Sequence, residues 1–244
     1  MKKINIRLRK LMAFTAVGAV VLFSSCLKND HYDYVIQVAG IAFINASPGS
    51  PDLDLVADNV REKLPGVFSY DSSYGYLRAY PGYRVFGFTK KNSHDLITFQ
   101  PFYLRPGDAY SVFIADTLGA AKLFCFKDSL NIPDTTKFAN IRFINLSPDS
   151  KSLNLLSGTD TLFSNIAFGK ATDFMPVNPD TYSLKTGESG SSTTLSTLTN
   201  VTFKKGGIYT IWARGYEKTA IDSIKIGLRQ VQNNESATEA NWEQ

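Results

Sequence analysis

Few residues of this chain could do covalent or coordination chemistry. There are two cysteines, Cys26 and Cys125, and two histidines, His31 and His94. A zinc site of Cys/His type cannot be assembled from that set. A Ser-His-Asp triad would have to use His94, because His31 lies just behind Cys26. No Gly-x-Ser-x-Gly elbow, phosphate-cradling glycine loop or paired-histidine zinc motif occurs. Asp52, Asp54 and Asp58 could suggest calcium, which takes six to eight oxygens. One hundred residues on, however, the same pattern reads Ser152 and Asn154 with no third acid, so charges on solvated strands are expected instead. The sequence therefore offers no catalytic, cofactor-binding or metal-binding residue, and a non-enzyme is expected.

One chemistry remains, acylation of a thiol. Residues 1–10 carry Lys2, Lys3, Arg7, Arg9 and Lys10 and no acid, and Leu11 to Phe23 is apolar apart from Thr15. This is a basic n-region and an h-region of signal-peptide length, too short for the roughly 20 residues of a membrane span. The run ends in Leu22-Phe23-Ser24-Ser25-Cys26, and small residues before a cysteine resemble the lipobox of exported lipoproteins. Phe23 stands where a leucine is usual. Acylated Cys26 would be a durable anchor, since each buried methylene contributes roughly 0.8 kcal/mol and several chains act together. Leu27 follows, and Lys28-Asn29-Asp30 resembles a charged export tag, so the outer membrane is the expected location.

Loss of the signal changes the charge. The whole chain has 26 Lys+Arg, 22 Asp+Glu and a net charge of +4. Residues 1–25 remove five bases and no acid, which leaves 21 against 22, or −1. A basic nucleic-acid footprint is absent, so no nucleic-acid partner is expected. With Cys26 acylated, Cys125 has no disulfide partner and reads as a small buried hydrophobe.

The chain repeats itself. Ile41-Ala42-Phe43-Ile44-Asn45-Ala46-Ser47-Pro48 returns as Ile141-Arg142-Phe143-Ile144-Asn145-Leu146-Ser147-Pro148, and Leu53-Asp54-Leu55 as Leu153-Asn154-Leu155. Tyr80-Pro81-Gly82-Tyr83 aligns with Asn178-Pro179-Asp180-Thr181-Tyr182 with one residue inserted. Leu104 to Phe113 matches Phe203 to Trp212. Period-two alternation broken by Pro, Gly and Asp turns predicts strands near 38–45, 53–57, 74–79, 83–89, 96–103 and 109–115. Counterparts are predicted near 139–146, 153–157, 171–177, 181–186, 196–203, 207–213 and 222–230. The expected organisation is a signal peptide over 1–25, lipidated Cys and tether over 26–37, a first β-sandwich over 38–126 and a linker over 127–138. A second sandwich over 139–231 and a polar tail over 232–244 follow.

These blocks carry a resemblance. A strand ending Phe-Ile-Asn-Ala-Ser-Pro, then Leu-Asp-Leu, then Pro-Gly-Tyr before a further strand, then Gly-x-x-Tyr-Ser-Val-Phe, resembles the bacterial domain-of-unknown-function family 4397. The resemblance covers about 41–125 and again about 141–230. It implies tandem immunoglobulin-like antiparallel β-sandwiches on an exported protein, and no activity.

The aromatics supply a surface to test. The repeat alignment places Tyr83 and Val85 in the core, which turns Phe86 and Phe88 to the other face. Tyr110 and Val112 inward leave Phe113 outward, with Trp212 its counterpart. Tyr74 and Tyr76 crowd the same stretch. Outward rings need a cover, which packing between the domains, a protein or a glycan could provide. Phe86, Phe88, Phe113, Trp212, Tyr74 and Tyr76 form the expected binding surface. The expected function is a non-catalytic, membrane-anchored envelope lipoprotein with domains for surface binding, adhesion or assembly. Its partners would be the membrane, through the lipid, and another envelope protein or a glycan. A glycan-binding accessory lipoprotein of a polysaccharide uptake system and a hydrolase with an unrecognised site are the alternatives.

Overall fold

A computed structural model describes residues 37–129 and 136–234. Cys26, His31 and the segments read as signal, tether and most of the tail lie outside the described residues. The first copy forms β1 (Ala39–Asn45), β2 (Leu53–Ala57), β3 (Val60–Glu62), β4 (Ser73–Ala79), β5 (Gly82–Lys90), β6 (Leu96–Leu104), β7 (Ala109–Ala115) and β8 (Lys122–Asp128). The second forms β9 (Ala139–Leu146), β10 (Leu153–Ser157), β11 (Asp160–Ile166), β12 (Lys170–Ala171), β13 (Met175–Val177), β14 (Thr181–Glu188), β15 (Ser196–Thr202), β16 (Ile208–Arg214) and β17 (Gly227–Gln232). Two one-turn 3₁₀ segments, Leu118–Ala120 and Asp222–Ile224, complete the described elements.

Each copy is a β-sandwich. Sheet β4-β1-β7-β8 faces sheet β3-β2-β5-β6 in the first, and β12-β9-β16-β17, with β13 also on β9, faces β11-β10-β14-β15 in the second. Alternation fills each interior: Ile41, Phe43, Leu53, Leu55, Phe86 and Phe88 pack in one core, and Ile141, Phe143, Leu153, Leu155, Leu184 and Ile211 in the other. The sheets are antiparallel except that β1 runs parallel to β7 and β9 parallel to β16.

Strands β7, β9 and β16 are buried at every residue. A strand covered on both faces reads as a continuous apolar run, not an alternating one. The cause is a third apolar cluster, where the backs of β1 and β7 meet the backs of β9 and β16. Ala42, Ile44, Ala46, Phe113 and Ala115 there pack on Ile144, Leu146 and Trp212. The Phe113 and Trp212 rings meet edge to face with centroids 5.6 Å apart.

Polar clamps close this seam at both ends. At one end the Arg142 guanidinium pairs with the Asp128 carboxylate, both buried. Arg142 also donates to Thr210 Oγ1 (2.8 Å) and to the Lys127 carbonyl (3.0 Å). Asp128 further accepts from Tyr76 (2.6 Å) and Ser111 (2.7 Å). Asn233 joins the network, accepting from Thr210 (2.6 Å) and donating to the Tyr76 oxygen (3.1 Å). At the other end Arg214 and Arg229 both donate to Asp71 Oδ2 at 2.7 Å. The first clamp lies by the starts of β7 and β16, the second by the ends of β1 and β16. The two sandwiches therefore stand side by side and point the same way.

Several expectations need correction. β8 occupies the start of the segment read as linker, and three-residue β3 and seven-residue β11 are additional edge strands. The strand expected over 171–177 is interrupted: Thr172 turns its hydroxyl to the Phe143 N–H (3.0 Å), and β12 and β13 pair with β9 separately. The strand expected over 222–230 begins only at Gly227, after the 3₁₀ turn.

The repeated Asn-x-Ser motif shapes the exit of each first strand. Asn45 Oδ1 accepts from the Ser47 N–H (3.1 Å), and Ser47 Oγ donates to the Asp116 carbonyl (2.7 Å). Asn145 and Ser147 repeat this, with Gly215 supplying the carbonyl. All four residues are fully buried, so the motif ties loops together and presents nothing to a ligand.

Candidate functional site

The expected binding surface does not assemble. Phe86 and Phe88 lie inside the first core, where both rings meet Phe43 edge to face. Strand register gives the reason. Phe88 stands opposite Leu55, and Thr186 stands opposite Leu155. Tyr83 is thus the counterpart of Thr181, not of Tyr182, and a one-residue slip reverses every side chain of a strand. Phe113 and Trp212 do point away from their own cores, but each covers the other in the seam. Tyr74 packs on Phe68 and donates to the Val67 carbonyl (2.8 Å). Tyr76 is held at the seam by Asp128, and burial, reinforced by that carboxylate, pushes its phenol well above the usual range.

The slip brings other residues to the surface. On the outer face of sheet β3-β2-β5-β6, cross-strand pairs run Tyr83–Tyr103, Val85–Pro101 and Gly87–Phe99, and Leu96 lies beyond them opposite Thr89. Tyr83 is 79% exposed, Phe99 62%, Tyr103 54% and Leu96 51%, while Tyr80 at the adjoining turn is 66% exposed. The Tyr83 and Tyr103 rings meet edge to face at 4.9 Å. A Cβ on Gly87 would stand 3.0 Å from that of Phe99 and 2.9 Å from the Thr98 carbonyl, so glycine is what lets Phe99 lie across the neighbouring strand. This ladder is apolar, contiguous and uncovered among the described residues.

The second copy provides an internal comparison. By register, Thr181, Ser183, Lys185, Thr197 and Thr202 replace Tyr83, Val85, Gly87, Phe99 and Tyr103. Thr181 and Thr202 share a hydrogen bond (3.0 Å) where the first copy has two tyrosines. The same sheet thus forms with polar residues at every ladder position. The aromatic ladder is not a requirement of the fold, and exposed apolar patches of this kind mark interaction sites.

The remaining candidates have structural employment. Asp52 pairs with Lys91 (3.7 Å), and Asp54 with Arg61 (3.3 Å) and the Asn92 N–H (2.8 Å). Asp58 accepts from the Val85 N–H (2.9 Å) and Arg84 (3.0 Å). The Val85 N–H foremost, with Arg84, holds its carboxyl below the usual carboxylate range. No group of three or more His, Cys, Asp or Glu among the described residues is arranged to hold a metal ion. His94 sits exposed in the turn between β5 and β6.

Cys125 packs against the first core from β8, and burial, with Asp128 nearby, pushes its thiol up to about 12. Only the thiolate reacts with alkylating agents. Iodoacetamide at neutral pH is therefore expected to modify Cys125 on the order of 100-fold or more slower in the native protein than in the denatured chain. Equal rates, read by mass spectrometry, would contradict this packing.

A family model described as "Domain of unknown function (DUF4397)" matches residues 39–156 and again 139–241. No curated protein matches the chain. Among solved structures, one similar fold is that of family 41 carbohydrate-binding modules from streptococcal virulence factors, which recognise α-glucan. It is 10% identical, with a TM-score of 0.26, over 78% of this chain and 96% of that one. Another is a protein from Bacteroides eggerthii DSM 20697 proposed to act in cell adhesion. It is 9% identical, with a TM-score of 0.20, over 80% of this chain and 96% of that one.

Proposed function

The chain belongs to the DUF4397 family, and from its tandem sandwiches and uncovered ladder we propose that it is a non-catalytic binding lipoprotein of the cell envelope. In this reading Cys26 is acylated, the outer membrane holds the anchor, and the twin sandwich presents the β5–β6 face to a partner. The carrying observation is the contrast between copies, with rings and aliphatics exposed in one and threonine, serine and lysine at the same positions in the other.

The chemistry of the ladder favours a protein partner. A glycan site needs polar groups converging among its rings. The upper ladder is Val85, Pro101, Phe99 and Leu96, which has none. Exposed aromatic and aliphatic anchors in a contiguous patch are what protein hot spots are made of.

Two measurements test the reading. Cross-linking in envelope membranes, followed by capture, is expected to enrich a specific protein with the wild type and to lose it with Phe99→Ser. Loss of such an anchor is worth about 2 kcal/mol or more, or roughly 30-fold in affinity. The melting temperature should barely move, since surface changes of this kind stay within about 0.5 kcal/mol. Capture unaffected by Phe99→Ser would remove the ladder from the function, and glycan-array binding that depends on Phe99 would replace protein with sugar. Separately, mass spectrometry of the N-terminal peptide is expected to show an acylated Cys26; a bare thiol on a released protein would overturn the anchoring.

A further inference from the structure

We propose that the end of the twin sandwich where the tether enters is itself a membrane-docking surface, seated on an anionic lipid headgroup layer by three tyrosines and a set of unpaired basic residues. The inference rests on the anchoring reading and adds an orientation to it.

The geometry starts from the entry of the chain. β1 begins at Ala39, opposite Ala79 on β4, and the Gly107 N–H donates to the Val38 carbonyl (3.1 Å). The Tyr80-Pro81-Gly82 turn and the Arg105–Gly107 turn therefore flank the point where the chain arrives from Cys26. Ten residues lie between Cys26 and Gln37, and the eleven steps reach at most about 40 Å. The lower end of the ladder, Tyr80, Tyr83 and Tyr103, lies at this same end.

Charge points the same way. Arg78 and Arg105 are exposed there, and neither has an ion-pair partner among the described residues. Because the two sandwiches point the same way, the equivalent turn of the second copy lies at this end as well, as the matching bond from the Gly206 N–H to the Phe138 carbonyl shows. That turn brings exposed Lys204 and Lys205, with Lys137 nearby, likewise without an ion pair among the described residues. Among the described acids of this end, Asp108 pairs with Lys127 (2.7 Å), Asp58 with Arg84 and Asp128 with Arg142, while Asp160 and Asp180 stay exposed in their turns, two acids against five bases. The opposite end is mixed, with Asp95, Asp149, Glu217 and Asp222 among its lysines.

Tyrosine is the ring suited to a headgroup layer, with an apolar body and a hydroxyl that stays wet. Basic side chains extend their charge to lipid phosphates while their stems lie along apolar surface. The first copy, which follows Cys26 in sequence, brings the tyrosines to this end, and the second brings Thr181 and Thr202 with Lys204 and Lys205 beside them. Seated this way, the upper ladder with Phe99 and Leu96 still faces outward.

The test uses the full acylated chain, reconstituted into vesicles of phosphatidylethanolamine with phosphatidylglycerol or of phosphatidylcholine alone, and read by hydrogen exchange. Residues 78–84, 103–107 and 204–206 are expected to exchange more slowly on the anionic vesicles than on the neutral ones. The protection should vanish in 1 M salt and in Arg105→Glu/Lys204→Glu/Lys205→Glu, and should weaken in Tyr83→Ser/Tyr103→Ser, with melting temperatures unchanged. Equal exchange on both vesicles overturns the proposal, as does protection that survives the charge reversal. If the native protein proves unacylated, the anchoring reading fails and the docking face is tested alone. The full chain carrying Cys26→Ser should still bind phosphatidylglycerol vesicles in flotation, and the triple reversal should weaken that binding on the order of 100-fold. Binding indifferent to the reversal again overturns it.

Discussion

Arg142→Met is expected to destabilise the protein by about 3–5 kcal/mol, the largest effect of any single polar substitution. The guanidinium crosses the seam and is 2% exposed, and the Asp128 carboxylate it meets is fully buried. Removing one partner strands the other charge in apolar surroundings, and the solvation it lost on folding is then uncompensated. Asp128 would keep only the Tyr76 and Ser111 hydroxyls, while Thr210 and the Lys127 carbonyl would each lose a donor. Asp128→Asn should be nearly as damaging. An Arg142→Met/Asp128→Leu double variant is expected to recover much of the loss, since replacing a buried pair by apolar side chains is often close to neutral. Chemical denaturation of the four species forms the cycle. Additive single effects would show that the pair is not coupled.

Trp212→Ala is expected to cost a similar amount, about 3–5 kcal/mol, by opening a cavity in the seam. Its effect should differ in kind. Trp212 packs on Phe113 and belongs to the cluster shared by both copies, not to either sandwich core. Its loss weakens the connection while leaving each core filled, so one cooperative unfolding transition should become two. Calorimetry compares them directly, and a single sharp transition in the variant would show that the copies are coupled by other means. Trp212→Phe should be far milder, because the indole N–H is buried without a hydrogen-bond partner among the described residues and an unmet donor is itself costly.

Much of the architecture was legible before any coordinates. The one-hundred-residue repeat and period-two alternation located β1, β2, β7, β9 and β10 to within a residue, because paired faces of unlike polarity leave a plain signal. β8 was hidden by its place between the copies. Its alternation of Leu123 and Cys125 inward with Phe124 and Phe126 toward the seam is regular, but no matched block marked it. The outer aromatics were missed for a sharper reason. Aligning Tyr83 with Tyr182 placed the extra residue ahead of β14, whereas the register carries it as a bulge in β15 between Thr197 and Thr202, and in a strand that one-residue slip inverts inside and outside. The seam clamps could not be read at all. Arg142, Asp128 and Asp71 look in sequence like ordinary surface charges, and only the back-to-back placement of two sheets buries them.

The parallel pairing of β1 with β7 also bears on how the polypeptide first acquires its form. β1 is the earliest described strand, and its neighbour β7 lies some seventy residues downstream. A chain emerging from its N-terminus must hold Ile41, Phe43 and Ile44 without that neighbour until most of the first copy exists. The reverse side of β1 waits longer still, since Ile144 and Trp212 arrive only with the second copy. Closure of such distant segments is slow. Nascent forms truncated before residue 109 should therefore be the ones that holding chaperones retain, and those reaching residue 128 the first to resist proteases.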